Sequence, residues 1–273
     1  GVDLVVHTAC TAYEGLSVYS PHLVTQNTFQ ITASTLSASV KSGVEKFVFM
    51  SSMARYGTQD TTPFVEEMTP KPQDPYGVAK YAAELLTQNI ANEHNIAFNI
   101  LVPHNIIGSR QKYDDPFRNV ASIMINRMLQ GKQPIIYGDG EQRRCFSFVS
   151  DVIDPIMVAC VTDKADSLVV NIGPDEEFIT INELAKIIAK KIDFRLDPIY
   201  LPARPLEVKD ANCSALRARE LLNYQTKVTL EDGLEELIGW IRKRGTRPFD
   251  YHLPLEFVNE RTPKSWTEPL FNR

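Results

Sequence analysis

The sequence lacks most features that mark a secreted, membrane-embedded or metal-binding protein. Its four cysteines are far apart and form no C-x-x-C pair, which predicts reduced thiols and no metal site. No apolar run approaches the roughly 18 residues needed to cross a bilayer. The net charge of −5 lacks the basic excess of proteins that bind nucleic acid or anionic membranes. We therefore expect a cytoplasmic protein with no nucleic-acid or membrane partner.

What the sequence does have is the composition and element order of an α/β protein. Hydrophobic residues make up 43% of its 273 residues, enough to bury a full core. Apolar strands alternate with amphipathic helices, at 3–7, 25–42, 46–50, 76–93 and 97–102. This βαβαβ order predicts a parallel sheet with right-handed crossovers. The predicted buried face of the helix at 76–93 carries Val78, Ala82, Leu85, Leu86 and Ile90.

The most informative stretch places Tyr76 and Lys80 one helical turn apart. Residues i and i+4 share a helix face, so the Lys80 ammonium is expected to lower the pKa of the Tyr76 phenol from roughly 10 toward the range of a general base. Ser51 and Ser52 follow the strand at 46–50, at the carboxyl edge where open parallel sheets bind ligands. Ser52, Tyr76 and Lys80 are therefore predicted to form a catalytic group.

A series of short segments, in order, resembles the motifs of the extended short-chain dehydrogenases/reductases, in the nucleotide-sugar epimerase/dehydratase group. Residues 5–10 resemble V-V-H-x-A-A, residues 49–57 contain S-S-x-x-x-Y-G, and residues 103–108 resemble R-P-x-N-x-x-G. The resemblance continues at 137–151, 171–173 and 204–207 and covers residues 3 to 243. Three positions depart from the pattern: Val102 replaces Arg, Cys145 replaces Asp, and Leu206 replaces Gly.

This resemblance implies NAD as the cofactor and a nucleotide-diphosphate sugar as the substrate. The residues matching the family's NAD contacts are Ala9, Cys10, Asn27, Ser51, Tyr76, Lys80 and Pro103. Those matching its substrate contacts are Asn105, Asn119, Val120, Arg144, Arg204 and Glu207. Among these, Asn105 and the two arginines are expected to hold the diphosphate, and Glu207 to accept hydrogen bonds from ribose hydroxyls.

Members of the family also open with a strand and a glycine-rich turn, G-x-x-G-x-x-G, which holds the NAD pyrophosphate. Nothing of that kind precedes Asp3, and residue 1 is Gly rather than Met. We expect a fragment that lacks roughly sixty residues, from two βα units of about 30 residues each. As given, the chain is expected to retain NAD weakly and to be inactive.

The expected fold is therefore α/β, with an N-terminally incomplete Rossmann-like parallel sheet and a smaller C-terminal α/β substrate lobe. The predicted NAD-binding domain comprises residues 1–105 and 146–173. The nucleotide-sugar-binding lobe comprises residues 106–145 and 174–244. Residues 245–273, which are rich in proline, are predicted to form an extended C-terminal tail.

The two residues after Ser52 separate reaction types within the family. Sugar 4,6-dehydratases carry Asp-Glu there and nucleotide-sugar decarboxylases a Glu at the second position, whereas this chain has Met53 and Ala54. These side chains cannot exchange protons, so transient oxidation at carbon 4, that is 4-epimerisation, is favoured. Two alternatives stay open: an NAD(P)-dependent reductase or dehydrogenase acting on a keto sugar or another alcohol, and a cofactor-free binding protein.

The helices at 25–42 and 76–93 correspond to the pair with which relatives form a four-helix dimer interface. Small residues permit close helix packing. The candidates are Ala33, Ala38, Ala82 and Ala83. We therefore expect a homodimer.

Overall fold

The computed structural model describes residues 1–273, with helices and strands alternating along the chain. The strands are β1 (Leu4–His7), β2 (Lys46–Met50), β3 (Ala97–Pro103), β4 (Ile106–Ile107), β5 (Ile135–Tyr137), β6 (Arg143–Arg144), β7 (Ser147–Phe148), β8 (Val169–Ile172), β9 (Ile179–Thr180), β10 (Ile199–Leu201) and β11 (Asp210–Ala211). The α-helices are α1 (Glu14–Ser17), α2 (Pro21–Thr25), α3 (Ile31–Ser42), α4 (Pro75–Glu93), α5 (Val120–Leu129), α6 (Val149–Val161), α7 (Ile181–Ile192), α8 (Leu216–Leu222), α9 (Leu230–Arg244) and α10 (Lys264–Thr267).

The main sheet has four parallel strands in the order β1-β2-β3-β8. Strand β2 is apolar throughout its buried part, and Phe47, Val48 and Phe49 are fully buried because helices cover both faces of the sheet. The predicted α/β class and parallel sheet are confirmed.

The helix predicted at 25–42 begins earlier and is not a uniform α-helix. It starts at Pro21, where a proline at the first position costs no hydrogen bond, and passes through a π-helical turn at Gln26–Gln30 before α3. The turn carries Asn27, one of the predicted cofactor contacts.

Helix α4 buries only part of the predicted face, together with polar side chains that were not predicted. Val78 is 50% exposed and Leu85 43% exposed, whereas Lys80, Glu84 and Thr87 are buried. Leu86 and Ile90 pack against the core as predicted. For Val78 and Leu85 the prediction was wrong, because it followed hydrophobicity alone. Distant polar partners hold Lys80 and Glu84 inside the protein, and the Thr87 hydroxyl donates to the Ala83 carbonyl oxygen one turn back.

A second core lies between α5, α7 and α9 and takes in residues from 107 to 241. Helix α7 opens with the predicted capping box, in which Thr180 and Glu183 exchange side-chain to backbone hydrogen bonds. In helix α9, Thr229 accepts from the Asp232 amide.

The C-terminal residues are packed into the protein rather than only extended over it. No helix or strand forms between Gly245 and Pro263, but α10 and a 3₁₀ turn at Leu270–Asn272 follow. Trp266 and Phe271 are 6% and 2% exposed and pack with Tyr13 and Tyr19. None of the helices is both long and apolar enough to span a membrane.

Candidate active site

The catalytic group predicted from the sequence lies where β2 ends and α4 begins. Ser52 follows β2 and caps a 3₁₀ turn, accepting a hydrogen bond from the Ala54 amide at 3.2 Å. Asp74 caps α4 by accepting from the Gly77 amide at 2.9 Å. A Cβ on residue 77 would lie 2.6 Å from the Ala54 carbonyl oxygen, so glycine lets the helix approach the turn closely. This contact brings Tyr76, in the first turn of α4, to Ser52.

The Tyr76 phenol is buried, and its pKa differs from the prediction. Burial raises the pKa well above its usual value, and neighbouring Cys10, Glu14 and Asp74 raise it further. The hydrogen bond with Ser52 lowers the pKa but does not outweigh burial. The prediction that Lys80 lowers the pKa of the Tyr76 phenol is therefore wrong for this structure, because desolvation of the phenolate dominates.

Lys80 is 2% exposed and donates a hydrogen bond to the Met50 carbonyl oxygen at 2.7 Å. Its ammonium also lies 5.1 Å from the centre of the Phe49 ring. Burial lowers the pKa of Lys80, while Cys10 and Glu84 raise it. An ammonium has three N–H donors, so Lys80 keeps donors for a ligand.

An ion pair beneath the catalytic group was not predicted. Glu84, one turn beyond Lys80, lies 3.0 Å from Arg55 Nε, and the Ser51 hydroxyl donates to the same Glu84 oxygen. The Arg55 guanidinium also stacks on the Tyr56 ring at 4.9 Å. The sequence did contain a signal for the position of Glu84: Tyr76, Lys80 and Glu84 are spaced at i, i+4 and i+8, which places them on one face of α4.

A cavity lies beside the turn that follows Ser52. Its walls include Met53 and Ala54 after Ser52, and Ala54 packs against Tyr76. Among the charged and polar residues that line it are Glu14, Asp74, Asn105, Arg144, Arg204 and Glu207. The structure thus brings four predicted substrate-binding residues to one cavity: Asn105, Arg144, Arg204 and Glu207.

Glu207 joins the two arginines. Its carboxylate lies 2.7 Å from Arg204 Nη2 and 3.6 Å from Arg144 Nη2. Burial alone would raise the pKa of Glu207, but the two guanidinium groups hold it below its usual value. Arg144 also donates to the Val208 and Lys209 carbonyl oxygens, whereas Arg204 Nη1 makes no hydrogen bond in the protein. Arg204 therefore has the freer donor for an anion.

The remaining predicted substrate contacts lie near the cavity or away from it. Asn105 has a positive φ of 42° and donates to the Cys145 carbonyl oxygen at 3.0 Å. Asn119 caps α5, accepting from the Ala121 amide at 3.0 Å, and Val120 packs on the second core. Neither Asn119 nor Val120 lines the cavity, so their nucleotide contacts stay predictions.

The predicted cofactor contacts lie mainly at the carboxyl edge of the sheet. Ala9 and Cys10 follow β1, Ser51 follows β2, and Pro103 ends β3. Cys10 packs against a small cluster that contains Tyr76, and Asn27 is half-buried in the π-helical turn. Their roles in binding NAD stay predictions.

Comparison with known proteins identifies the family. The profile of the NAD dependent epimerase/dehydratase family matches residues 1–173. The chain belongs to this family. It is 32% identical, over 88% of its own length and 77% of the relative's, to a Methanocaldococcus jannaschii protein provisionally named UDP-glucose 4-epimerase. It is 28% identical, over the same shares, to the UDP-N-acetyl-alpha-D-glucosaminuronate decarboxylase of Bacillus cytotoxicus.

Solved structures of the family have the same fold. The UDP-glucose 4-epimerase of Thermotoga maritima with UDP-glucose superposes with a TM-score of 0.84 and 32% identity, over 89% of this chain and 78% of that one. The UDP-glucuronic acid 4-epimerase of Bacillus cereus, in complex with UDP-glucuronic acid and NAD, gives 0.83 and 28%, over 89% and 76%. The predicted enzyme class and the NAD cofactor are confirmed at the level of the family.

The residues of this epimerase/dehydratase chain fit the nicotinamide half of NAD. Lys80 is a buried ammonium with one carbonyl partner, so its other donors can reach ribose hydroxyls. The loop after β1 places the small side chains of Cys10 and Ala12 in the cluster that contains Tyr76.

Proposed function

We propose that this chain is an NAD-dependent nucleotide-sugar 4-epimerase. One observation carries the proposal: a single cavity is lined by Met53, Ala54, Arg144 and Arg204, and Ala54 packs against Tyr76. A nucleotide sugar has its diphosphate beside the sugar, so the arginines suit the diphosphate while the sugar lies near the phenol.

In the proposed reaction, Tyr76 removes the proton from the sugar's 4-hydroxyl, and Ser52 hydrogen bonds to the same oxygen. NAD, when bound, would supply a reversible hydride acceptor for carbon 4 and a positive ring charge that would favour the phenolate. Lys80 holds the phenolate and the cofactor ribose. The sugar turns over in the cavity between the two hydride transfers, while the arginines keep the diphosphate bound.

The residues after Ser52 also concern the choice between 4-epimerisation and the related decarboxylation and dehydration reactions. Met53 and Ala54 offer no acid or base. Two other carboxyls, Glu14 and Asp74, do line the cavity. Product analysis must therefore include a 4-keto-6-deoxy sugar and release of CO₂ as well as the 4-epimer.

The test is incubation of the protein with UDP-glucose and catalytic NAD. We expect UDP-galactose by NMR, with no net change in absorbance at 340 nm. Stoichiometric consumption of NADH or NADPH with a keto sugar would favour the reductase alternative. Binding of a nucleotide sugar without any turnover would favour the cofactor-free binding protein.

We also propose that the protein is a homodimer through α3 and α4. Val78 and Leu85 on α4 are exposed, as are Phe29 and Ile31 beside it, and exposed apolar side chains of this kind mark contact surfaces. Ala82 and Ala33 are half-buried and Ala38 is exposed. Ala83 is fully buried inside the subunit and cannot contribute to the interface, contrary to expectation.

The roles of the site residues and the division into lobes belong to the same proposal. Residues 1–105 and 146–173 would bind NAD, and residues 106–145 and 174–244 the nucleotide sugar. Asn105, Arg144 and Arg204 would hold the diphosphate.

A further inference from the structure

One acidic side chain in the cavity has no part in the proposed reaction. Glu14, the first residue of α1, lines the same cavity as Arg144 and Arg204. Its charge is close enough to both guanidinium groups and to the Tyr76 phenol to affect the pKa of each. Glu14 thus lines the cavity that the proposed function assigns to the nucleotide sugar.

The backbone on both sides of Glu14 is fixed. The Tyr13 hydroxyl donates to Asp115 at 2.7 Å, and the Ser17 hydroxyl donates to the Glu14 carbonyl oxygen at 2.6 Å. A Cβ on residue 15 would lie 3.0 Å from the Trp266 ring, so the C-terminal residues pack directly against this segment. These contacts hold the start of α1, and with it Glu14, at the cavity wall.

The charges facing Glu14 come from three other parts of the chain. Asp74 caps α4, Arg144 lies on β6, and Arg204 and Glu207 belong to the loop before β11. The Glu14 residue is exposed to solvent in the cavity, but the surrounding walls remove part of the hydration of its carboxyl. This desolvation and the Asp74 charge raise the pKa of Glu14 to about 7, while the two arginines oppose the rise. Glu207 already occupies Arg204 and Arg144, so Glu14 adds a negative charge that no ion pair neutralises.

We propose that Glu14 is a specificity-determining residue that makes this cavity select nucleotide sugars without a carboxylate on the sugar ring. Sugar hydroxyls donate to a carboxylate, whereas a uronate would place a second negative charge beside it, and such repulsion excludes the wrong ligand. The inference rests on the proposed function, since it assigns the substrate class of the same cavity.

The test compares the binding of UDP-glucose and UDP-glucuronic acid by calorimetry at pH 6 and pH 8. The proteins are the wild-type chain, Glu14→Gln, and Glu93→Gln as a control at an exposed carboxyl on the last turn of α4. At pH 8 the wild type should bind the glucose compound about tenfold or more tightly, the size of a close like-charge repulsion. The preference should shrink at pH 6, where Glu14 is mostly protonated. In Glu14→Gln it should be small at both pH values, and in Glu93→Gln it should match the wild type.

The outcomes separate this inference from the proposed function. If the wild type binds neither compound, both fail. If it binds UDP-glucose but Glu14→Gln keeps the full preference, or the wild-type preference is the same at pH 6 and pH 8, only the role of Glu14 is overturned. The pH comparison uses the wild type alone, so it decides the matter even if the variant does not fold.

Discussion

The Glu84 carboxylate lies 3.0 Å from Arg55 Nε, with the two side chains 0% and 5% exposed. The same carboxylate accepts from Ser51, the neighbour of Ser52. The pair therefore joins helix α4, which carries Tyr76 and Lys80, to the turn that carries the serines. We expect it to set the geometry of the catalytic group.

Glu84→Ala should strongly destabilise the protein, by about 3–5 kcal/mol, because it leaves the Arg55 charge buried without a partner. Urea unfolding measures the loss. The double variant Arg55→Met with Glu84→Leu removes both charges and should lose much less. Equal losses in the two proteins would contradict a dominant role for the unpaired charge.

Tyr76→Phe should reduce epimerisation by roughly 10²- to 10⁴-fold, because it removes the general base while the ring still packs. Nucleotide-sugar binding and the thermal unfolding temperature should stay close to wild type. Tyr81→Phe, on the same helix, is the control and should keep its activity. Near wild-type turnover by Tyr76→Phe would eliminate the phenol as the base.

Lys80→Met should move the rise of the pH–rate profile to higher pH. The Tyr76 pKa is already raised by burial. In the proposed reaction Lys80 pairs with the phenolate, so loss of its ammonium should make the phenolate harder to form. The profile is measured as kcat/KM from pH 6 to 10, with Lys41→Met, at the exposed end of α3, as the control. A profile that falls in amplitude without shifting would contradict the pairing of Lys80 with the phenolate.

The sheet and the catalytic group could be predicted because their signals are local. Strand β2 is a continuous apolar run, and Tyr76 and Lys80 share a helix face by spacing alone. The buried polar side chains of α4 could not be predicted from hydrophobicity, because the partner of Lys80 is the carbonyl of Met50 and the partner of Glu84 is Arg55.

Other features depend on contacts between distant segments. The position of Glu14 is set by Asp115 and Trp266, which lie far along the chain. The raised pKa of Tyr76 depends on the depth of burial, which spacing does not reveal. Leu206 adopts a φ of 60° where the family pattern has glycine, so its turn keeps the left-handed conformation despite the side chain.

Leu85→Glu should prevent dimerisation, because it places a charge on the apolar surface of α4. Sedimentation at micromolar concentration should show a dimer for the wild type and a monomer for the variant. Leu216→Glu, at an exposed position on α8 outside the proposed interface, is the control and should remain dimeric. A monomeric wild type would reject the dimer without affecting the assignment of the catalytic group.

Glu14→Gln should stabilise the protein at alkaline pH and leave it nearly unchanged in acid. The pKa of Glu14 is raised to about 7 in the folded protein, so the folded state binds a proton that the unfolded state has released. Stability therefore falls as pH rises from the ordinary glutamate range to about 7, and the loss stays constant above it. Glutamine removes this loss, so the unfolding temperature of the variant should exceed that of the wild type at pH 8, with little difference at pH 4.5. Glu93→Gln should show no such pH dependence. A gain of equal size at both pH values would mean that Glu14→Gln acts through packing and that its carboxyl titrates normally in the cavity.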